Sequence, residues 1–178
     1  MKLQIDNLPE QNLKCMNYHS LNQYFYKLYA RLFMLALVPI GVFIFLYQAN
    51  KTNWLPNTKL DIEPEMIVYA AAAIAFMDWL MALLIMYVGL KRVRKEVSLG
   101  ERLSRYANLT TVRSALFSSG MLLLAIGYYL SQHQWLTIGF MVSLILPAIF
   151  WPVPGRVCYD LRLKGDERMM ILYKMDKL

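Results

Sequence analysis

Four stretches of this chain are apolar almost without interruption, and nearly all of its charge lies between them. Residues 32–50 hold no Asp, Glu, Lys or Arg, and most are Leu, Phe, Val or Ile. Residues 66–90 hold one charge, Asp78. From Ser114 to Gly155 there is no Asp, Glu, Lys or Arg in 42 positions. A bilayer core of about 30 Å takes roughly 20 apolar residues of helix, so 42 is too long for one crossing. The run divides at Ser131-Gln132-His133-Gln134. The pattern therefore predicts four membrane-spanning helices, at about 32–50, 66–90, 114–130 and 135–151, with the last two in a tight hairpin. The expected fold class is an all-α bundle of four transmembrane helices, a polytopic membrane protein with short amphipathic cytoplasmic segments. Residues 1–31 form a cytoplasmic N-terminal segment, 32–151 the membrane domain and 152–178 a cytoplasmic tail. The first 31 residues lack the pattern of a cleaved secretory signal, so the first span is expected to stay in the mature chain.

The polar segments carry helix signals of their own. Ser20-Leu21-Asn22-Gln23 has capping-box spacing, with Leu21, Tyr24, Phe25 and Leu28 following at helical intervals. The first helix is thus expected to begin near residue 21. Ser98-Leu99-Gly100-Glu101 predicts a second such start, continuing through Leu103 and Tyr106 into the third span. Pro152-Val153-Pro154-Gly155 ends the fourth span, because proline lacks the amide donor and clashes inside a helix. Gly165-Asp166 then opens a short helix with Met169, Met170, Leu172 and Tyr173 as its apolar positions.

Composition agrees with the pattern. The chain is 58% hydrophobic and 17% charged, where soluble domains carry about 25% charge. Its net charge of +7 is distributed unevenly. Seventeen of the 19 basic residues fall in residues 1–31, 91–113 and the tail, and two, Lys51 and Lys59, fall in the loop after the first span. The rule that basic loops stay inside puts both termini in the cytoplasm. Trp54 and Trp135 at the outer boundary and Tyr24, Tyr26, Tyr29 and Trp151 at the inner one fit the aromatic belts. Lys91, Arg92, Arg94 and Lys95, directly below the second span, are expected to meet anionic lipid head groups. No stacking pattern or reading module accompanies these charges, which argues against nucleic acid as a partner.

Asp78 does not fit its surroundings. It has 12 residues of its span on either side, placing it roughly 18 Å from each end and near the bilayer midplane. An ionisable side chain there costs about 2.5–3.5 kcal/mol on insertion scales and normally faces other protein or water. Ala71, Ala75, Asp78, Ala82 and Gly89 share one helical stripe, small except for Asp78, as close helix packing in lipid prefers. Ser118 and Ser119 in the third span and Ser143 in the fourth lie at similar depth. Asp78, Ser118, Ser119 and Ser143 are therefore the expected intramembrane polar cluster. Arg113, at the cytoplasmic boundary, reaches Asp78 only across a large vertical offset. Asp78 reads either as polar glue within the bundle or toward a partner helix, or as a proton or cation site of a transport path. Pro39-Ile40-Gly41 and Pro147 interrupt the first and fourth spans, but the two halves share no visible repeat.

Other chemistry is sparse. His19 and His133 are expected on opposite faces, so no metal or haem site is predicted. Cys15 and Cys158 are expected as free thiols on the reducing side. Asn108-Leu109-Thr110 matches a glycosylation sequon on the wrong face. The 12 Met read as packing. No phosphate loop, nucleophile elbow or carboxylate pair is present, and no catalytic residue or cofactor is expected.

In the tail, Pro152, Arg156, Asp160-Leu161-Arg162-Leu163 and Asp166-Glu167-Arg168 follow the last span in order. With the span pattern, this resembles a group of small four-helix bacterial membrane proteins to which no activity is assigned. Val153 stands where that group carries a hydroxyl residue after the proline. The resemblance covers the spans and about 17 tail residues and implies a location in a bacterial cytoplasmic membrane. The expected role is a non-catalytic accessory or scaffold subunit of a larger membrane assembly, with a membrane protein or a second copy as partner. The alternative is a small homo-oligomeric transporter or channel using Asp78.

Overall fold

A computed structural model describes residues 20–52 and 63–173. Cys15, His19, Trp54 and Lys59 lie outside the described residues. Seven helical segments and no strand occur among the described residues: α1 (Leu21–Thr52), α2 (Pro64–Val93), α3 (Leu99–Ser131), α4 (Gln134–Ser143), α5 (Ile145–Ile149), α6 (Pro154–Leu161) and α7 (Gly165–Tyr173). Of these, α1, α2 and α3 are long and apolar enough to cross a membrane. The fourth apolar stretch, Gln134–Ile149, is shorter and is broken at Leu144. Pro147 explains the break: it offers no amide to the Ser143 carbonyl four residues earlier, and its ring crowds that carbonyl.

The helix ends follow their sequence signals in most places. Ser20 Oγ accepts the Gln23 amide hydrogen at 3.1 Å, as the first capping box predicts. Helix α2 begins at Pro64 with Glu65 in its first turn and closes with Lys91 and Arg92, each matching the sign of the helix dipole at its end. Helix α3 starts at Leu99 as expected, but the capping contact of Ser98 needs a correction. Ser98 Oγ is buried without a hydrogen-bond partner among the described residues. The entry to α3 is held instead by Arg102, whose Nε donates to Glu96 O at 2.6 Å. The 131–134 break is made by Gln132 in the left-handed region (φ 54°), with its amide on Tyr128 O at 2.8 Å. His133 then N-caps α4, its Nδ1 accepting from Trp135 N.

The chain divides into two compact units. One comprises Leu32–Leu84 and Val112–Trp151. Its core is built by Phe43 of α1, Ala75 of α2, Met121, Leu124 and Ala125 of α3, and Leu136 and Phe140 of α4. Phe43 stacks on Phe140 with centroids 4.0 Å apart. Helix α3 is the most buried of the three long helices, with 44% of its most apolar stretch buried against 22% for α1 and for α2. The neighbours of its glycines fix two antiparallel pairings. A Cβ at Gly127 would lie 2.9 Å from Ala71 Cβ and 3.2 Å from Leu136 Cδ1. One at Gly120 would lie 2.6 Å from Trp79 Nε1, and one at Gly139 3.9 Å from Leu124 Cδ1.

The other unit comprises, among the described residues, 20–31, 85–111 and 152–173. Leu21, Tyr24, Phe25 and Leu28 are buried in it together with Leu103, Tyr106, Val157 and Ile171. Tyr24 OH donates to Leu103 O at 2.9 Å, and Tyr106 OH to Asp160 Oδ2 at 3.0 Å. Arg102 pairs with Glu167 at 3.4 Å, and Arg105 with Glu96 at 2.9 Å. The apolar side of the tail thus lies on this unit's own core. Its anchor in α7 is Ile171, whereas Met169, Leu172 and Tyr173 are exposed.

Candidate functional site

The four polar residues expected to cluster divide into three local arrangements. Asp78 and Ser119 are in contact: Ser119 Oγ lies 3.0 Å from Asp78 Oδ2. The same hydroxyl lies 2.9 Å from Leu116 O, the carbonyl three residues back in α3. A serine hydroxyl has one hydrogen to give and two lone pairs. When it donates to the Asp78 carboxylate, Leu116 O loses that donor. When it donates to Leu116 O, the contact with Asp78 closes only if the carboxyl carries a hydrogen. The one hydroxyl hydrogen is thus shared between two acceptors, Asp78 Oδ2 and Leu116 O. Asp78 is half-buried, and its other carboxylate oxygen has no partner among the described residues.

Ser118 faces elsewhere. It is buried, and its Oγ donates to Leu35 O of α1 at 2.6 Å. Leu35 is four residues before Pro39, so its carbonyl is the one that proline deprives of an intrahelical donor. The Ser118 hydroxyl replaces the missing amide from a neighbouring helix, which keeps α1 continuous through Pro39. Ser143 is buried and donates to Phe140 O of its own helix at 2.6 Å, next to the break at Leu144. Arg113 is buried too. Its terminal nitrogen donates to Phe150 O at 2.7 Å, and its guanidinium carbon sits 5.3 Å from the Phe150 ring centroid. A cation on the carbonyl of Phe150, the residue that caps α5, complements the negative helix end.

Beside Asp78, Trp79 lies against Gly120, and its Nε1 is buried without a hydrogen-bond partner among the described residues. An unsatisfied buried donor costs about 1–3 kcal/mol, so this corner of the α2–α3 contact carries both an unused donor and an unused acceptor. The small-residue stripe on α2 forms a packing face: Ala75 and Ala82 are fully buried, and Gly89 lies against Leu109. Sequence reading missed Gly120 and Gly127. Their separation of seven residues, which places them on one face of α3, is the signal that marks them.

The basic run at the end of α2 also divides. Lys91 Nζ lies 4.4 Å from the Tyr87 ring centroid, and Arg92 and Lys95 are exposed. Arg94 is half-buried and donates through Nε to Asp160 O at 2.7 Å, which ties the segment after α2 to α6. In α6, burial pushes the Cys158 thiol above its ordinary pKa, while the positive charge of Arg168 pulls weakly the other way.

Fold and site together define an all-helical chain with three helices long and apolar enough to span a membrane, as expected of a membrane protein. Comparisons with protein-family models, curated proteins and solved structures return no match.

Proposed function

We propose that the protein is a non-catalytic accessory or scaffold subunit of a larger membrane assembly, crossing a bacterial cytoplasmic membrane four times with both termini inside. Gln134–Ile149 supplies the fourth crossing, completed at its end by Phe150 and Trp151. The charge asymmetry of the loops supports this orientation. The observation that carries the role is the state of Asp78. Its carboxylate sits half-exposed in the middle of an apolar helix with one hydrogen bond, from Ser119. In a bilayer the unused oxygen is costly unless a polar group meets it, and a partner helix bearing a hydroxyl, amide or cationic side chain meets that need. Asp78 variants in native membranes test the reading. Asp78→Asn keeps a hydrogen-bonding oxygen and should leave the assembly intact, whereas Asp78→Leu should release the subunit.

A second reading has its own observation. Asp78 keeps a half-exposed carboxyl beside a hydroxyl that can turn to another acceptor, as suits a proton or cation site in a small homo-oligomeric transporter or channel. Flux into liposomes separates the two. A transporter moves protons or cations as wild type and stops as Asp78→Asn, while a scaffold moves none in either form.

A further inference from the structure

In the unit that contains the tail, a cleft of about 670 Å³ opens where α6 turns into α7. Its lining is strongly cationic: Arg94, Arg162, Lys164 and Arg168 all contribute, and no Asp or Glu does. Leu163 and Leu172 add an apolar part. Of the nearby acids, Asp160 accepts from Tyr106 OH, Glu167 pairs with Arg102, and Asp166 is exposed outside the cleft lining. Arg162, Lys164 and Arg168 have no carboxylate partner among the described residues. Arg94 is fixed by its Nε bond to Asp160 O, which leaves both terminal nitrogens for other acceptors.

The backbone at Arg162 adds a separate observation. Helix α6 ends in a Schellman turn, with Leu163 N on Cys158 O at 3.0 Å and Arg162 N on Tyr159 O at 3.1 Å. Arg162 occupies the left-handed position of that turn, at φ 54° and ψ 40°. Glycine takes this position without a steric penalty, whereas a side chain there is disfavoured. Residues held in such strained positions cluster at ligand-binding sites. Here the strained residue is one of the four cations of the cleft.

We propose that this cleft binds a phosphate ester, with Arg162 and Arg168 as the phosphate-holding residues and Leu163 and Leu172 against the apolar part of the ligand. Guanidinium groups match phosphate oxygens in a bidentate fork, and a cleft of one charge sign concentrates anions. The volume accommodates a head group with its glycerol or a small phosphorylated metabolite. The site is distinct from the exposed Lys91 and Arg92 and does not depend on the accessory-subunit reading. The phosphate comes either from an anionic phospholipid or from a soluble ester, and the test separates them.

The whole protein, purified in a non-ionic detergent, would be titrated with short-chain phosphatidylglycerol, short-chain phosphatidylcholine and glycerol 1-phosphate, with binding read by native mass spectrometry and melting temperature. Saturable binding of phosphatidylglycerol, with little of the phosphatidylcholine, identifies a lipid head group. Binding of glycerol 1-phosphate alone identifies a soluble ester. Arg162→Gly should weaken either by about tenfold or more, the loss of one charge-assisted contact, and should melt no lower than wild type because the turn is relieved. Arg168→Gln should weaken it similarly, and the Lys91→Gln/Arg92→Gln variant should bind as wild type. Absence of binding by both phosphates overturns the proposal. So does wild-type affinity in Arg162→Gly, or an equal loss in the Lys91/Arg92 variant, which would indicate general surface attraction.

Discussion

A proline in a long apolar helix has its consequence four residues upstream, and in this chain a serine from another helix answers it. Removing the Ser118 hydroxyl leaves Leu35 O without a donor, so Ser118→Ala should cost about 1 kcal/mol of stability. In the Pro39→Ala background the backbone supplies its own donor, and most of that cost should vanish. A double-mutant cycle of denaturation midpoints in mild detergent measures the coupling, and additive costs would refute it. Gly127 makes a sharper steric statement, because the atom a new methyl meets is Ala71 Cβ, which has no rotamer to change. Gly127→Ala should therefore destabilise by about 1–3 kcal/mol in the same measurement. Part of this was legible in the sequence. Asp78 stood out by charge alone, and Ser119 was among the few hydroxyls at matching depth. The split among the serines was not legible, because depth along a helix fixes only height. Which of the adjacent Ser118 and Ser119 faces α1 and which faces α2 depends on rotation about α3, and only packing sets that. The Pro39 rule would have supplied the missing clue, since it singles out Leu35 O as the acceptor in need.

Among the elements, the apolar pattern located every long helix, and the Ser20 box located the start of α1 to the residue. Of the short helices, the pattern missed α6, and it located the start of α7 at Gly165 but misjudged which side of it is buried. Helix α6 follows a Pro-x-Pro pair that reads as a terminator, yet Pro154 sits in its first turn, where a missing amide costs nothing. In α7, four apolar residues surround Ile171, and burial selects Ile171 alone. Ile171→Ala should cost about 2–5 kcal/mol and remove hydrogen-exchange protection from Gly165–Tyr173. The partly exposed Arg102–Glu167 pair tethers the same helix, but Glu167→Gln should cost about 0–1 kcal/mol. Equal effects of the two would mean that charge, rather than burial, holds α7. The Cys158 thiol reports on the same packing. Since burial raises its pKa and also limits access, it should react with iodoacetamide more slowly than in denatured protein at mildly alkaline pH, and the gap should narrow without closing as pH rises through the raised value.

At the scale of the whole molecule, the proposal makes a topological statement that three exposed positions can test. Val97, Gln132 and Tyr159 are solvent-accessible and lie, respectively, before α3, after it and in α6. Single cysteines there, with Cys15 and Cys158 replaced, should divide in sealed spheroplasts. Gln132→Cys should react with an impermeant maleimide, while Val97→Cys and Tyr159→Cys should react only after permeabilisation. Labelling of Tyr159→Cys from outside would mean that Gln134–Ile149 does not cross. As a subunit of something larger, the chain would turn Asp78 toward a polar group of a partner. The most direct measurement is purification from the native membrane in a mild detergent, with mass spectrometry of whatever accompanies wild type, Asp78→Asn and Asp78→Leu. A stoichiometric membrane-protein partner is expected with the first two and its loss with the third. Recovery of the wild-type chain alone, or only with copies of itself, would contradict the accessory-subunit reading.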